Sequence, residues 1–503
     1  LFDDEPAMPM NGGWEASALF EEKYGFPPPV PKDSYDNPDY MARWTAWEDF
    51  RAGIWADFYE RGTVALKSVN PDIRTTVVVE GMGKDVYAGF DPSISQAPLD
   101  IYWFHIYPIN EPLTMVGHAV ERGKSALRVM GDPKRERWAL LQNWAAVGET
   151  PQVPTADYIE NQYWMAIAHG ATGIGYWPYA YGWWISSGTP SWERMGEISD
   201  RQQWLAPALR ELTDERDPIG LLYSSSQAGL DHLKGLLAET PRESARPWRN
   251  YHVTDEAYHT LKQSGFQIVV PLYSELMAEG AYLPYRAIVM GGIEYLRTET
   301  RTALKAFMAR GGHAWKDISS TIDLEGAREL PAHFDDVYKL IFPEDPGQFN
   351  YYKHRDDFQP LIEANRDIVL EHLGAYDDQR VKVEHPKVIW NELDGGDAIY
   401  LFAVNNTAHT PNLAEFRHIS QEWRLTPVKW DAVETEVSVA GDKLIVDLEN
   451  KQLVETENRD GRTVWNTGID PGAGRMWVVL DERPASLALM APTQAKTGET
   501  LSF

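Results

Sequence analysis

The sequence predicts an α/β protein: two regions of alternating helices and strands, followed by a region of strands alone. Residues 1–215 alternate a helical apolar period with short apolar runs, and residues 216–320 repeat the alternation in smaller form. Over residues 381–483 the apolar period changes to two, which is typical of antiparallel strands. A chain of 503 residues is also too long for one core. At roughly 150 residues per domain, we expect about three folded parts.

The first region contains one long helix and a series of strands. Apolar residues at three- and four-residue steps from Trp44 to Phe58 predict an amphipathic helix that ends before Pro71. Thr155 is the predicted N-cap of a later helix, and Gly170 is its predicted end. Strands that alternate with helices indicate a parallel sheet, open or closed. The apolar runs that predict these strands are 75–79, 100–108, 138–144 and 173–177.

The second region indicates a flavodoxin-like domain of three layers. It has no GxGxxG or P-loop pattern, so no nucleotide site is expected. Residues 321–380 are polar and poorly periodic, and we assign them only as a mixed connection. The predicted strands are 219–224, 266–270 and 285–290, and the predicted helices are 255–263 and 298–310.

The C-terminal region is expected to pack as a β-sandwich. Residues 484–503 begin to alternate again, as in a linker or the first strand of a further β domain. Because the chain starts at Leu1 without Met, we expect a processed form or a piece of a longer protein. The predicted strands of the sandwich are 387–391, 398–405, 436–439, 443–448 and 475–480.

Composition excludes several classes of function. The chain has 47 basic and 75 acidic residues, and its net charge of −28 argues against nucleic acid as a partner. No Cys is present, and the 13 His residues show no metal-binding spacing, so we expect no metal and no cofactor. The absence of a GxSxG motif counts against an α/β-hydrolase. No apolar run reaches the roughly 20 residues of a membrane span.

Carboxylates follow several of the predicted strands. Asp4 and Glu5 stand before a proline, Glu80 closes the strand at 75–79, and Glu111 follows the next strand. Cleavage of a glycosidic bond needs two carboxyl groups, about 5–5.5 Å apart for retention or ~6.5–9.5 Å for inversion. Simpler readings are a surface turn for Glu5, a salt bridge for Glu80 and a turn for Glu111.

Aromatic residues crowd the same region, which holds 13 of the 20 Trp before position 205. Trp103, His105 and Tyr107 alternate along one strand and so share one face. Trp177 ends another strand and precedes an aromatic loop. Flat rings beside carboxylates form platforms for sugars, although packing in the core or under a lid explains them equally well.

The order of segments carries a family resemblance. The segments are, in chain order, DDEP at the end of a predicted strand, WEDFR in the long helix, LLQNW, and AIAHGATGIGYW. A region that ends in RGG and then a β region follow them. This order resembles clan A glycoside hydrolases, above all the family-forty-two type β-galactosidases with their trimerisation domain, over residues 1 to about 480. The resemblance implies the C-terminal half of a (β/α)8 TIM barrel, strands four to eight, then a flavodoxin-like α/β domain and a C-terminal β-sandwich.

The resemblance also implies roles for individual residues. Glu5 matches the acid/base residue that closes barrel strand four, whereas Gln142 stands where the nucleophile of strand seven is expected. A neutral amide cannot form a glycosyl ester, so a standard retaining mechanism needs a second carboxylate from elsewhere. Glu80 is the first candidate for this second catalytic group, ahead of Glu111 and Glu149.

The implied reaction is hydrolysis of a β-glycosidic bond in an oligo- or polysaccharide, with β-galactosides among the candidates. A catalytically degenerate carbohydrate-binding or scaffold protein is the alternative. The implied partners are a carbohydrate substrate and either further copies of the chain or a chain that supplies the N-terminal half of the barrel. The expected location is extracellular or periplasmic. The expected substrate-binding residues are Asp4, Trp103, His105, Tyr107, Glu111, Gln142, Asn143, Trp144 and Trp177.

Overall fold

The structure, a computed structural model, shows parallel sheets with helices followed by antiparallel sheets. This confirms the mixed α/β class expected from the sequence. The described residues are 13–80, 89–108, 113–143, 155–177, 190–214, 219–266, 270–278, 285–343, 355–377, 380–409 and 429–481.

Two helices precede the first sheet, α1 (Gly13–Tyr24) and α2 (Pro38–Val69). The side chain of Asn37 caps α2 by accepting hydrogen bonds from the backbone N–H groups of Asp39 and Tyr40, at 3.0 and 3.1 Å. The helix ends before Pro71, as its apolar pattern predicts. Although α2 has 32 residues, neither it nor any other described helix is suited by length and apolarity to crossing a membrane.

The first sheet has four parallel strands in chain order. Thr155 caps α5 and Gly170, at φ +93°, follows its end, which confirms both predictions. A short strand after α6, β5 (Thr213–Asp214), pairs with a sheet further along the chain. The elements of this part are β1 (Val78–Glu80), α3 (Pro92–Ser95), β2 (Ile101–Ile106), α4 (Thr114–Val129), β3 (Glu136–Gln142), α5 (Ala156–Ala168), β4 (Gly173–Trp177) and α6 (Pro190–Glu211).

One face of this sheet is buried under helices. Phe104 and Leu141 point to that face and join a large apolar core with Val116 and Val120 of α4 and Ile159 of α5. Because side chains alternate along a strand, the residues between them point to the opposite face. The helices therefore leave that opposite face to the predicted site residues.

The second sheet has five parallel strands. Its strands are β6 (Ile219–Tyr223), β7 (Val270–Tyr273), β8 (Ala287–Met290), β9 (His313–Asp317) and β10 (Arg328–Leu330). Numbered along the chain within this sheet, the spatial order is 2-1-3-4-5. The strand β10 lies within 321–380, the segment assigned from sequence only as a connection. The helices are α7 (Ser225–Leu236), α8 (Pro241–Ser244), α9 (Arg249–Gln263), α10 (Ser274–Ala278), α11 (Thr298–Ala309), α12 (Asp336–Ile341) and α13 (Arg355–Leu373).

The C-terminal strands form two antiparallel sheets that share one core. Trp390 and Trp477 of one sheet and Trp465 of the other are buried in it, and the rings of Trp465 and Trp477 meet edge to face at 5.6 Å. One sheet has the order β11-β14-β18-β17 and the other β16-β15-β19-β13-β12-β5. The strands are β11 (Val381–Val383), β12 (Val388–Asp394), β13 (Ile399–Asn405), β14 (Val433–Ala440), β15 (Leu444–Asp447), β16 (Gln452–Leu453), β17 (Glu457–Arg459), β18 (Arg462–Ile469) and β19 (Gly474–Leu480).

Buried polar contacts join these parts. His118 of α4 lies 2.8 Å from the carboxylate of Asp255 on α9. Lys262, also on α9, donates a hydrogen bond of 2.8 Å to the backbone oxygen of Trp390 in the C-terminal region. The helix α9 therefore contacts the first sheet's helices on one side and an antiparallel sheet on the other.

Candidate active site at the carboxyl edge of the first sheet

The carboxyl ends of β1 to β4 meet at one edge of the first sheet, where sequence reasoning expects a site. Backbone pairing places Glu80 beside His105 and Gln142 beside Trp177. Asn143 follows Gln142 directly, and its N–H donates a 2.8 Å hydrogen bond to the backbone oxygen of Trp177. The structure thus brings predicted residues from all four strands to this edge.

Several predicted residues lie outside the described ranges, and for Glu80 only the backbone is described. Their roles stay predictions, as does the role of the Glu80 side chain. The residues outside the described ranges are Asp4, Glu5, Glu111, Trp144 and Glu149.

The face of the first sheet opposite Phe104 and Leu141 carries aromatic rings, and we call it the aromatic face. Register places Trp103 beside Trp138, and their rings meet edge to face at 5.8 Å. His105 stacks on Tyr107 with ring centroids 4.6 Å apart and planes within 8°. Both ring pairs lie on the same face of the sheet, and the His105–Tyr107 pair is the nearer to the carboxyl edge. The aromatic face comprises Trp103, His105, Tyr107, Trp138, Gln142 and Trp177.

Access to the aromatic face differs from ring to ring. Trp103, Tyr107 and Trp138 are half-buried, whereas His105 is only 2% exposed. Trp177 is 43% exposed at the end of β4. Trp177 is therefore the ring in this set that a sugar reaches most easily.

Two glycines of β4 leave the space that the rings of Trp103 and Trp138 occupy. A Cβ atom on Gly173 would lie 2.3 Å from Cδ1 of Trp138, far inside contact distance. A Cβ on Gly175 would lie 3.0 Å from Leu140 and 3.8 Å from Trp103. The GIG sequence of β4 thus lets the rings of β2 and β3 lie over the neighbouring strand.

The side chain of Gln142 is fully buried and held by Tyr158 of α5. The Tyr158 hydroxyl lies 2.9 Å from Oε1 of Gln142 and 2.9 Å from the backbone oxygen of Pro108. A hydroxyl carries one proton and donates it to one acceptor at a time. Turning the amide by 180° would let Gln142 donate to the Tyr158 oxygen while Tyr158 donates to Pro108.

The backbone of Gln142 is held by a second residue of α5, Gln162. The Gln142 N–H donates to Oε1 of Gln162 at 3.0 Å, and Nε2 of Gln162 donates to the Gln142 carbonyl at 2.9 Å. Pairing between β2 and β3 ends one residue earlier, at Ile106 and Leu141. The Gln162 amide therefore replaces a strand partner and fixes the end of β3.

Sequence reasoning missed Tyr158 and Gln162. They lie four residues apart on α5 and so share one face of the helix. Polar side chains at this spacing, on a helix that also carries the apolar residues Ile159 and Trp164, are the signal that points to a buried polar contact. Their target, the end of β3, does not follow from the sequence.

Asn143 is fully buried, and its Nδ2 lies 3.2 Å from the sulfur of Met195 on α6. Its Oδ1 has no hydrogen-bond partner among the described residues. Asn143 follows Gln142 and so points away from the aromatic face. In the described structure both amides are packed inside the chain.

An ion pair lies behind β4, on the helix-covered side. Arg201 donates to Glu160 at 2.6 Å, and Arg194 lies 3.3 Å from the same carboxylate. Burial raises the pKa of Tyr176 well above its usual 10, and burial likewise raises the pKa of Tyr163. Both phenols therefore stay protonated near neutral pH.

The described side chains at this edge supply binding surface and hydrogen bonds. No group of three metal-ligating side chains occurs at the edge among the residues the structure describes. The proton-transferring groups expected of a hydrolase fall on Glu5 and Glu80, whose side chains are not described. Catalysis therefore enters below as a proposal.

Comparison with solved structures identifies the fold. Gan42B, a β-galactosidase of glycoside hydrolase family 42 from G. stearothermophilus, matches with a TM-score of 0.60 at 14% identity, over 94% of this chain and 77% of its own. The chain has the fold of the family 42 β-galactosidases. The family 42 β-galactosidase fold is the one that the sequence resemblance implies, and the comparison confirms it.

Other solved structures share this fold. A β-galactosidase from Bacillus circulans sp. alkalophilus matches with a TM-score of 0.56 at 12% identity, over 92% of this chain and 76% of its own. An α-L-fucosidase isoenzyme from Paenibacillus thiaminolyticus matches with a TM-score of 0.56 at 11% identity, over 93% of this chain and 75% of its own. No protein-family profile and no curated protein sequence matches the chain.

Proposed function

We propose that the chain is a glycoside hydrolase that cleaves a β-glycosidic bond, with β-galactosides among its candidate substrates. The observation that supports it most is the placement of predicted site residues from four neighbouring strands at one carboxyl edge, with His105, Gln142 and Trp177 on one face. Parallel α/β folds place their ligands at that edge. The fold of the solved neighbours, which are glycosidases, supports the same class of reaction.

We infer that the first sheet is part of a (β/α)8 barrel, since its parallel strands follow chain order with helices on one face. Four strands do not close an eight-stranded barrel. One edge of β4 pairs with no strand among the described residues, and it borders a cleft of about 690 Å³ against α6, lined by Trp138, Ile174 and Trp192 among others. Further strands of the same barrel, from this polypeptide or another chain, would join there.

We likewise infer the identity of the two later parts. The 2-1-3-4-5 order of the five-stranded sheet is that of a flavodoxin-like domain. The shared core of the two antiparallel sheets supports a β-sandwich.

In the proposed reaction Glu5 protonates the leaving oxygen as the glycosidic bond breaks, and water supplies the hydroxyl that the anomeric carbon gains. Glu80, whose backbone lies beside His105, is the proposed second carboxylate. Trp177 stacks on a sugar ring at the edge. Gln142 and Asn143, which the sequence predicts to bind the sugar, are fully buried, so we assign them no direct contact with it in this reaction.

Trp177 gives a direct test of where the sugar binds. Trp177→Ala is expected to weaken binding of β-linked oligosaccharides at least about fivefold, roughly 1 kcal/mol for a lost stacking contact. Trp204→Ala is the matched control, because Trp204 is 44% exposed and lies on α6. Isothermal titration measures the oligosaccharide affinity of both variants. Equal affinities in Trp177→Ala and Trp204→Ala would show that the sugar does not bind at the aromatic face.

A non-catalytic carbohydrate-binding protein is the second candidate. The buried amide of Gln142 favours it, because a carboxylate nucleophile is expected at this position. A glycan array read together with an assay for new reducing ends separates the two. Binding without release of reducing ends would support the binding protein, and release would support the hydrolase.

A further inference from the structure

A histidine and two aspartates come together after β10, at the carboxyl edge of the five-stranded sheet. We propose that His333, Asp335 and Asp336 form a binding site for a divalent first-row transition-metal ion such as Zn²⁺. Each residue offers one ligand atom, and these atoms all lie within 4.8 Å of one another. The cluster lies on a different sheet from the aromatic face, so the proposed metal site is separate from the proposed hydrolase site.

The backbone around this cluster is fixed from two sides. Asn365 of α13 accepts the His333 N–H at 2.9 Å and donates to the His333 carbonyl at 2.8 Å. The carboxylate of Asp317, at the end of β9, accepts the N–H of Phe334 at 3.2 Å. Both holding side chains, Asn365 and Asp317, are buried. The ligands therefore lie on the loop after β10 and on the first turn of α12, in a backbone that is held in place before any ion binds.

One oxygen of a buried carboxyl group beside the cluster lacks a hydrogen-bond partner among the described residues. Glu256 of α9 is 1% exposed, and its Oε2 accepts the N–H of Val337, the residue after Asp336, at 2.9 Å. Its Oε1 has no hydrogen-bond partner among the described residues. Because Val337 directly follows Asp336, this hydrogen bond places the Glu256 carboxyl group beside the cluster. An unpaired buried oxygen beside two carboxylates favours a cation.

A lysine already supplies positive charge at this position. The ammonium of Lys339 lies 2.6 Å from Asp335 and 3.6 Å from Asp336. Its side chain is 44% exposed, so it can turn into solvent and release both carboxylates. Lys339 thus acts as a stand-in that a divalent ion would displace.

The set of donor atoms selects the class of ion. One imidazole nitrogen with carboxylate oxygens suits zinc and its first-row neighbours, whereas Ca²⁺ and Mg²⁺ prefer oxygen ligands alone. Bonds of about 2.0–2.2 Å would draw the ligand atoms slightly together. Sequence reasoning expected no metal from the spacing of the histidines, but this site mixes one histidine with neighbouring aspartates.

The test is titration of the full chain, without an affinity tag, with ZnCl₂, and with MgCl₂ and CaCl₂ for comparison. We expect one saturable zinc site per chain and a rise in thermal unfolding temperature. His333→Ala is expected to weaken zinc binding at least about tenfold. His409→Ala is the matched control, because His409 lies 3.9 Å from Asp431 but outside the cluster, and it should bind zinc as the wild type does.

Lys339→Gln separates a metal site from a simple ion pair. Removing the competing ammonium is expected to tighten zinc binding severalfold, while a purely structural Lys339 would make the variant less stable with no gain in affinity. This second variant also decides the question if His333→Ala fails to fold. Absence of saturable zinc binding, or wild-type affinity in His333→Ala, would overturn the proposal.

Discussion

The amide of Gln162 is expected to hold the end of β3 in place of a strand partner. Gln162→Leu keeps the size of the side chain but removes both hydrogen bonds to the Gln142 backbone, at 3.0 and 2.9 Å. Each buried backbone group left without a partner costs about 1–3 kcal/mol. Since two groups are affected, we expect local opening at Gln142 to become easier by about 2–6 kcal/mol.

Hydrogen exchange at the Gln142 amide measures this local opening directly. About 2 kcal/mol corresponds to roughly 30-fold faster exchange, so at least that increase is expected in Gln162→Leu. Gln203→Leu, at an exposed position of α6, is the control and should leave the rate unchanged. Wild-type protection of Gln142 in Gln162→Leu would refute the reasoning, because another group would then have to hold the strand end.

Two further predictions concern stability and are checked by urea unfolding. Gly173→Ala is expected to lower the free energy of unfolding by about 1–3 kcal/mol, because its Cβ would lie 2.3 Å from Trp138. Gly53→Ala, with nothing within 4 Å in α2, should instead be neutral or stabilising. Burial lowers the pKa of His118 below its usual 6.5, so the unfolded chain binds more protons, and stability should fall as the pH drops from about 7 to 5. His118→Phe should flatten this pH dependence, and an unchanged slope would contradict the assignment.

Local signals were enough to place several helices and strands, whereas α4, α6 and β18 were not predicted. Thr155 and Gly170 bound α5 as predicted, since a cap and a left-handed glycine act within a few residues. The apolar run at 173–177 matches β4 in full. Such elements follow from the sequence because their determinants are near one another in the chain.

The sequence predicted the candidate active site less completely than the helices and strands, because the contacts of the site join residues that are distant in the chain. Nothing in the sequence near Gln142 shows that Tyr158 and Gln162 hold it, as helix and strand meet only after folding. The short strand β10 was missed because two of its three residues are exposed and carry charge, which hides the strand pattern. His333 was not predicted as a candidate metal ligand, because the neighbouring candidate ligands are carboxylates and not further histidines.

In the proposed reaction the chain hydrolyses β-glycosidic bonds with Glu5 as general acid/base. The direct measurement is release of new reducing ends from β-linked oligosaccharides by the wild type and by Glu5→Gln. A sugar is a poor leaving group and needs a proton to depart. A nitrophenolate leaves without a proton, so a nitrophenyl glycoside would not report the loss of the general acid. General acid catalysis contributes typically 10²–10⁴-fold, so we predict turnover at least about 100-fold slower in Glu5→Gln. The exposed Glu15→Gln serves as control and should keep the wild-type rate. Equal rates in wild type and Glu5→Gln, or no cleavage of any β-linked substrate by the wild type, would contradict the account.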